Sequence, residues 1–293
     1  MTTSPTLFVA GAGGKLGRRV VELLLERGYA GKIIAGSRHP EKLNFAGVET
    51  RKADYGDVPG FIKALDGVDR LLLISIDVLG PSRTALQTSA VAAAKAAGVK
   101  HIVYTSMPAP EPASPIPFAP EHFGTEEAIK ASGIGYTILR MNWYAENLLS
   151  SLPSALQSGK WYTSAGAGTL AHVSREDTAR AAAGALLAGD ASRTLTVTGP
   201  AALTAREIAA VASEVTGKPI EVVDVTDEQL AAGAVAAGVP EPVVHGFIVP
   251  FDVNTRLGRV ALTTNAVETL WGSKPQGLKA FLEANKAALT QAA

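Results

Sequence analysis

Apolar positions along the chain fall first at strand spacing and then at helix spacing, and the alternation repeats. Leu7–Ala10 is a short apolar run. Leu16–Arg27 follows as a helix, with Val20, Leu23 and Leu24 three or four apart. "KIIAGSR" predicts a second strand and "VETRKADY" a weaker third. "DVPGFIKALDG" reads as a short helix and "DRLLLIS" as a fourth strand. Residues 82–97 are alanine-rich and helical, and Gly98 stops them. "HIVYTS" is a fifth strand, "EHFGTEEAIKASG" a helix closed by glycine, and "YTILR" a sixth strand.

Such alternation predicts an α/β fold, a Rossmann-like doubly wound parallel sheet covered on both faces. Right-handed crossovers then bring the strand carboxyl ends, and any binding crevice, to one edge. The proline-rich run "MPAPEPASPIPFAP" is excluded from helix and central strand, so it is a loop beside that edge. After residue 150 the pattern loosens. "SREDTARAAAGALLAG" begins with Ser174 as a cap, and "RTLTVTG" is a strand suited to rejoining the main sheet. Thr204 with Glu207, and Thr226 with Gln229, are capping-box pairs opening two further helices. These pieces predict a smaller α+β C-terminal lobe.

Composition narrows the function. The 293 residues are 47% apolar and 18% charged, the profile of a soluble protein with an ample core. Formal net charge is zero, so no broad basic field favours nucleic acid or anionic lipid. The absence of cysteine removes disulfides, thiolate metal sites and cysteine nucleophiles, and suits a reducing cytoplasm. No membrane-length apolar run is present, and a strand-like start near Thr6 leaves no room for a signal peptide. The expected partner is a small-molecule substrate, with neither nucleic acid nor membrane; a homodimer stays open.

The junction of the first strand and helix carries the chemistry. Gly11, Gly14 and Gly17 stand three apart there. The strict G-x-G-x-x-G spacing fails because Leu16 holds the third glycine's place, and the P-loop pattern fails because Leu16 follows Gly14-Lys15. G-x-x-G-x-x-G fits. Glycines at such a junction allow a tight turn, close approach of backbone N–H groups to a pyrophosphate, and close helix–strand packing. The helix N-terminus adds partial positive charge. An ordinary glycine-rich turn is the plain alternative; the strand–loop–helix setting favours a nucleotide.

An NAD-specific site places Asp or Glu about 20 residues further on, at the end of the second strand. Here "AGSRHPEK" offers Ser37 and Arg38 and no acid before Glu41. An arginine suits the 2′-phosphate of NADPH, and Lys15 adds charge; otherwise both are solvated surface cations. Asp54, in "ADYGD", is either an acceptor for the adenine amino group or a turn acid. Ser75 ends the fourth strand, and Thr105 and Ser106 end the fifth, where the nicotinamide half passes. Residues 1–150 are thus expected to form an NADP-binding Rossmann domain, joined by a returning strand near 193–199. Residues 151–293 would mainly form the substrate-binding lobe.

The Tyr-x-x-x-Lys pair of ordinary short-chain dehydrogenases is missing. Tyr29, Tyr55, Tyr104, Tyr136, Tyr144 and Tyr162 are followed four places later by Ile, Pro, Pro, Arg, Leu and Gly. The segments "ADYGD", "LLLIS", "AAKAAGVKHIVYTS", "EHFGTEEAIKASGIGYTILR" and "WYAEN" resemble those of the NmrA-like atypical short-chain dehydrogenases. Within that family the likeness is greatest to the bacterial NADPH-dependent quinone oxidoreductases of the type-2 group, with triphenylmethane reductase as a relative. It runs from Leu7 to about Gly199. It implies a phosphate loop on Gly11, Ala12, Gly13, Gly14, Lys15 and Leu16, and a 2′-phosphate arginine at Arg38. It further implies fourth-strand contacts at Ser75, Ile76 and Asp77, and a nicotinamide lining at Met141, Asn142, Tyr144 and Glu146, with another contact at Arg175. Two departures stand out: Met141 separates Arg140 from Asn142, and Gly13 replaces a frequent Thr.

A quinone tolerates the missing acid. Hydride addition yields a phenolate-type anion whose basicity is roughly that of tyrosine, pKa about 10. Positioning and hydrogen bonding then suffice, with water as proton source. His122 is either a donor to the substrate oxygen, oriented by Glu126 four residues on, or a helix-start residue bonded to backbone. Tyr144 and Asn147 lie at the cleft edge, and Tyr144 either donates to substrate or packs under the nicotinamide. Trp143 and Phe123 are core or pocket wall, His101 is structural, and no His and acid cluster has metal-ligand spacing. The expected activity is NADPH-dependent reduction of a quinone or similar conjugated acceptor. Two alternatives stay open: an NADP(H)-sensing regulator without turnover, and a reductase of a carbonyl, imine or azo compound.

Overall fold

The computed structural model describes residues 4–78 and 80–290. Seven parallel strands form the main sheet in the order β3-β2-β1-β4-β5-β6-β9. They are β1 (Leu7–Ala10), β2 (Ile33–Ser37), β3 (Glu49–Lys52), β4 (Arg70–Leu73), β5 (His101–Ser106), β6 (Gly135–Met141) and β9 (Arg193–Val197). The order reverses between β1 and β4, which opens a crevice at the carboxyl ends of those two strands.

Alternate side chains of each strand serve opposite faces. Leu7, Val9, Leu72, Val103 and Leu139 pack with α1 (Lys15–Glu26) and α6 (Arg175–Leu187). Phe8, Leu71, Leu73, Ile102 and Ile138 point the other way. They meet α2 (Val58–Ala64), α3 (Pro81–Ala96) and α4 (Ala119–Ser132). The sheet is buried on both faces, so its central strands read as continuous apolar runs. The buried face of α6 is built mainly from small residues, and Ala179 and Ala181–Ala183 are fully buried. A Cβ on Gly184 would meet the Leu270 carbonyl oxygen at 2.3 Å, so the Ala266–Trp271 helix lies directly on α6.

The smaller lobe combines α5 (Leu148–Ser158), α7 (Ala205–Thr216) and the Leu278–Ala284 helix around Leu152, Ile208 and Phe281. Two minor sheets complete it: parallel β7 (Lys160–Thr163) with β11 (Glu221–Asp224), and antiparallel β8 (Thr169–Leu170) with β10 (Leu203–Thr204). Both capping boxes form, opening α7 and α8 (Asp227–Ala236). The chain crosses between the bodies more than once. Residues 175–197 return to the main sheet as α6 and β9, and 266–271 pack against α6, so no single cut near residue 150 separates two units.

Helix α1 sits against β1 because Gly17 has no side chain. A Cβ there would stand 2.3 Å from the Gly11 carbonyl oxygen and 2.9 Å from the Ala12 Cα, both backbone atoms. Gly17→Ala is therefore expected to cost about 2 kcal/mol or more by forcing the helix off the sheet. Gly14→Ala, whose Cβ would make an ordinary 3.5 Å contact, should leave stability nearly unchanged. Urea unfolding of both variants checks this, and equal midpoints would refute the close-packing account.

Candidate active site

Gly11 ends β1 at φ +78°, a left-handed conformation that glycine adopts freely. The Ala12 N–H donates to the Gly36 carbonyl at 2.9 Å and the Gly14 N–H to that of Gly11 at 3.0 Å, which closes the turn. Gly14 then starts α1 without a side-chain cap, and the first turn holds no acid. The opening amides of α1 are thus left for something outside the helix, and an anion is what such an end accepts.

Two contiguous cavities of about 720 Å³ and 690 Å³ run along this edge, sharing Gly11, Gly14, Ile74, Ser75 and Asp77 as a common wall. The outer one is bounded by Arg18, Arg38, His39 and Lys42 on one side and by Asp54 and Tyr55 on the other. Asp54 also accepts from the Gly56 N–H at 3.0 Å, so one residue acts as both turn acid and cavity wall. The Tyr55 hydroxyl donates to the Ile74 carbonyl at 3.1 Å, and burial pushes its phenol well above the ordinary range.

The inner cavity continues past Lys15, Leu16, Gly17 and Thr105 to Arg83, Phe118, Tyr144, Arg175 and Phe247. Thr105 Oγ1 accepts from the Ser75 N–H at 2.9 Å and so ties together the ends of β4 and β5. Tyr144 is anchored by a bridge to Val173, and the Arg175 guanidinium lies 5.2 Å from its ring centre. Burial raises the Tyr144 phenol pKa, so this hydroxyl stays protonated. The outer end of the cleft thus carries Arg18, Arg38 and Lys42, while the inner end adds the aromatic rings of Phe118, Tyr144 and Phe247 to its cations.

The model of the NmrA-like family matches residues 3–282. Quinone oxidoreductase 2 of Escherichia coli is 39% identical over 239 residues, covering 80% of this chain and 83% of that protein. The chain belongs to the NmrA-like family. Among solved structures, the E. coli NADPH-dependent quinone oxidoreductase complexed with NADPH superposes with a TM-score of 0.88 at 34% identity, covering 96% of this chain and 99% of that one. Citrobacter sp. triphenylmethane reductase complexed with NADP(H) gives 0.85 at 35% identity, over 97% and 100%.

In this NmrA-like chain, most of the residues expected at the site line the two cavities. They are Gly11, Gly13, Gly14, Lys15, Leu16, Gly17, Arg38, Asp54, Ser75, Ile76, Asp77, Thr105, Tyr144 and Arg175. Others turn away. Ala12 is fully buried, and Met141 packs in the core beneath the sheet edge. Ser106 faces the far side and donates to Glu126 at 2.6 Å. Asn142 is buried and donates to the Val260 carbonyl at 2.9 Å. Glu146 accepts the Arg175 N–H at 3.0 Å and so caps α6 instead of lining the cleft. Trp143 stacks on Phe251 with ring centres 4.5 Å apart, and Asn147 is exposed at the start of α5.

His122 also differs from expectation. It is 5% exposed and lines neither cavity. Glu126 does not orient it: that carboxylate is taken by Arg140, at 2.8 Å and 3.0 Å, because a fully buried carboxylate is best satisfied by a guanidinium. His122 instead bonds Arg83 at 2.8 Å through Nε2 and the Tyr104 hydroxyl at 3.0 Å through Nδ1. Burial, with the nearby Arg83 charge, lowers its pKa to about 3. A ring neutral at pH 7 and accepting from an arginine is no proton donor to substrate. The residues that the sequence reading missed are Arg18, His39, Lys42, Arg83, Phe118 and Phe247. Arg18 and Lys42 sit one turn beyond Gly14 and Arg38, which was a usable signal; Phe247 joins the site only by tertiary packing.

The depressed His122 pKa has a consequence for stability. The unfolded ring titrates near 6.5 and the folded one near 3, so the unfolded chain binds the extra proton between those values. The contribution of the neutral ring is full above pH 6.5 and lost as pH falls towards 3. Urea unfolding at about pH 7.5 and about pH 5 should show a smaller acid loss in His122→Gln than in the unaltered protein. Equal losses would mean that the folded ring already carries the proton.

Proposed function

We propose that this protein is an NADPH-dependent oxidoreductase that reduces a quinone or similar conjugated small molecule. The observation that carries the reading is the continuous cleft. It runs from the cations at Arg38 and Lys42, past the uncapped start of α1, to Thr105 and Tyr144 at the carboxyl ends of the central strands. Its polarity sequence matches a phosphorylated ribose, a pyrophosphate and a flat ring in that order.

Bound NADPH supplies the hydride. The amides of the Gly11–Gly17 turn and the start of α1 hold its pyrophosphate, where partial positive charge is already aligned. Arg38, exposed at the cleft rim, binds the 2′-phosphate, and Lys42 adds charge beside it. Asp54 accepts from the adenine amino group. Ser75, Ile76 and Asp77 border the middle of the cleft. Thr105, Tyr144 and Arg175 line the inner cavity and would hold the nicotinamide ring there, and Phe118 and Phe247 would exclude water beside it.

The phenol that lines the inner cavity is that of Tyr144, and burial raises its pKa, which makes it a weak proton donor near neutral pH. That suits an acceptor whose reduced form is a stable phenolate. It does not suit a simple ketone, whose alkoxide needs a proton at once. We place the protein in the cytoplasm; no helix among the described residues is long and apolar enough to cross a membrane.

The test is NADPH oxidation against a series of benzoquinones and naphthoquinones, with cofactor affinity measured by titration calorimetry. Turnover with quinones is expected, whereas tight cofactor binding without turnover would support a cofactor sensor. Arg38→Ala should weaken NADPH by roughly 10-fold or more and barely affect NADH, as expected for loss of one charge-assisted contact. Equal weakening of both coenzymes would remove Arg38 from the 2′-phosphate site.

A further inference from the structure

Arg83 stands in the first turn of α3 and is only 5% exposed, yet it borders the inner cavity beside Thr105, Phe118 and Tyr144. It is held from behind by an ordered chain of polar groups. Nη2 donates to His122 Nε2 at 2.8 Å, and Nη1 lies 3.4 Å from Glu121 Oε2. His122 Nδ1 then donates to the Tyr104 hydroxyl at 3.0 Å. Gln87, fully buried, reaches the same hydroxyl at 3.4 Å and donates to Thr125 Oγ1 at 2.9 Å. Arg83, His122, Tyr104, Gln87 and Thr125 are all buried, so the guanidinium is fixed before any ligand arrives.

The donors of that guanidinium are incompletely used. It carries five N–H groups, and its buried Nε–H meets no acceptor among the described residues. A buried cation with unsatisfied donors is costly, and a ligand that offers an acceptor relieves that cost. The surroundings describe that ligand. The Phe118 ring centre is 5.9 Å from the guanidinium carbon and 6.0 Å from the Phe247 ring centre. Two aromatic walls and one fixed cation fit a flat conjugated ring bearing an oxygen.

We propose that Arg83 is the catalytic hydrogen-bond donor that receives the acceptor's oxygen and stabilises its developing negative charge, with His122 as its positioning residue. This rests on the reading of the protein as a quinone reductase. Per turnover the quinone gains one hydride, two electrons with one hydrogen, from NADPH, which leaves as NADP⁺. The charge gathers on the oxygen facing Arg83, giving a hydroquinone monoanion, and water then protonates that oxygen. Arg83 keeps all its protons throughout, so it acts by hydrogen bonding alone. The neutral ring of His122 suits this role, because a protonated ring would have no acceptor to offer Arg83.

The experiment pairs turnover with the binding of a product mimic. Arg83→Met should leave NADPH affinity unchanged and lower kcat/KM for 1,4-naphthoquinone by about 100-fold, with Arg83→Lys in between. In the presence of NADP⁺, the unaltered protein should bind 4-nitrophenolate more tightly than 4-nitrophenol as pH rises through the ligand's own pKa. Arg83→Met should lose that preference. His122→Leu should lower kcat and weaken the preference while keeping NADPH affinity, a pattern that a purely structural residue would not produce. Full activity together with an intact phenolate preference in Arg83→Met would overturn the proposal. Should that variant fail to fold, the absence of any phenolate preference in the unaltered protein would overturn it equally. If the unaltered protein reduces no quinone, the functional reading fails, and the phenolate preference alone then decides for or against Arg83 as an oxyanion site.

Discussion

The contact between Gly17 and the Gly11 carbonyl governs the rest of the molecule. Because a Cβ would come within 2.3 Å of that oxygen, only glycine lets α1 lie this close to β1. The approach brings the start of α1, uncapped and free of acids, over the carboxyl edge where the strand order reverses. A helix end carries its useful partial charge only within about its first turn, so a small displacement of α1 would take that charge away from the crevice. The packing constraint and the binding geometry are therefore one feature.

Behind the opposite wall of the cleft, α3 and α4 meet through polar groups as well as apolar ones. Arg83, Gln87, His122, Thr125 and Tyr104 are all buried and joined by hydrogen bonds. Burial decides their protonation: it holds the His122 ring neutral and the Tyr104 phenol protonated. What reaches the cavity is a fixed positive charge and no acid. That division of labour fits a reaction that needs charge stabilised at one oxygen and can leave the proton to water.

The same helix shows why local spacing misled. His122 and Glu126 stand one turn apart on α4, a spacing that favours a pair on an isolated helix. In the folded protein Glu126 turns to Arg140 and Ser106 at the end of the sheet, while His122 turns to Arg83. An exposed pair one turn apart contributes only a few tenths of a kcal/mol, and a buried carboxylate without a cation costs far more, so the tertiary partners win.

The chain by itself determined the alternation of strands and helices, the glycine turn, the caps at Ser174, Thr204 and Thr226, and the basic end of the cleft at Arg38. Each is set by residues close in sequence, where periodicity and turn chemistry act directly. The two-residue strands β8 and β10, the pairing of β7 with β11, and the inner cavity wall were beyond it. Their partners lie far apart in the chain, and strands this short leave no periodic mark. Only the tertiary structure decided that Arg83 and Phe247 face one cavity and that Asn142, Glu146 and His122 do not. Which side of a helix or loop meets a ligand is settled by what packs against its other side, and no local pattern records that.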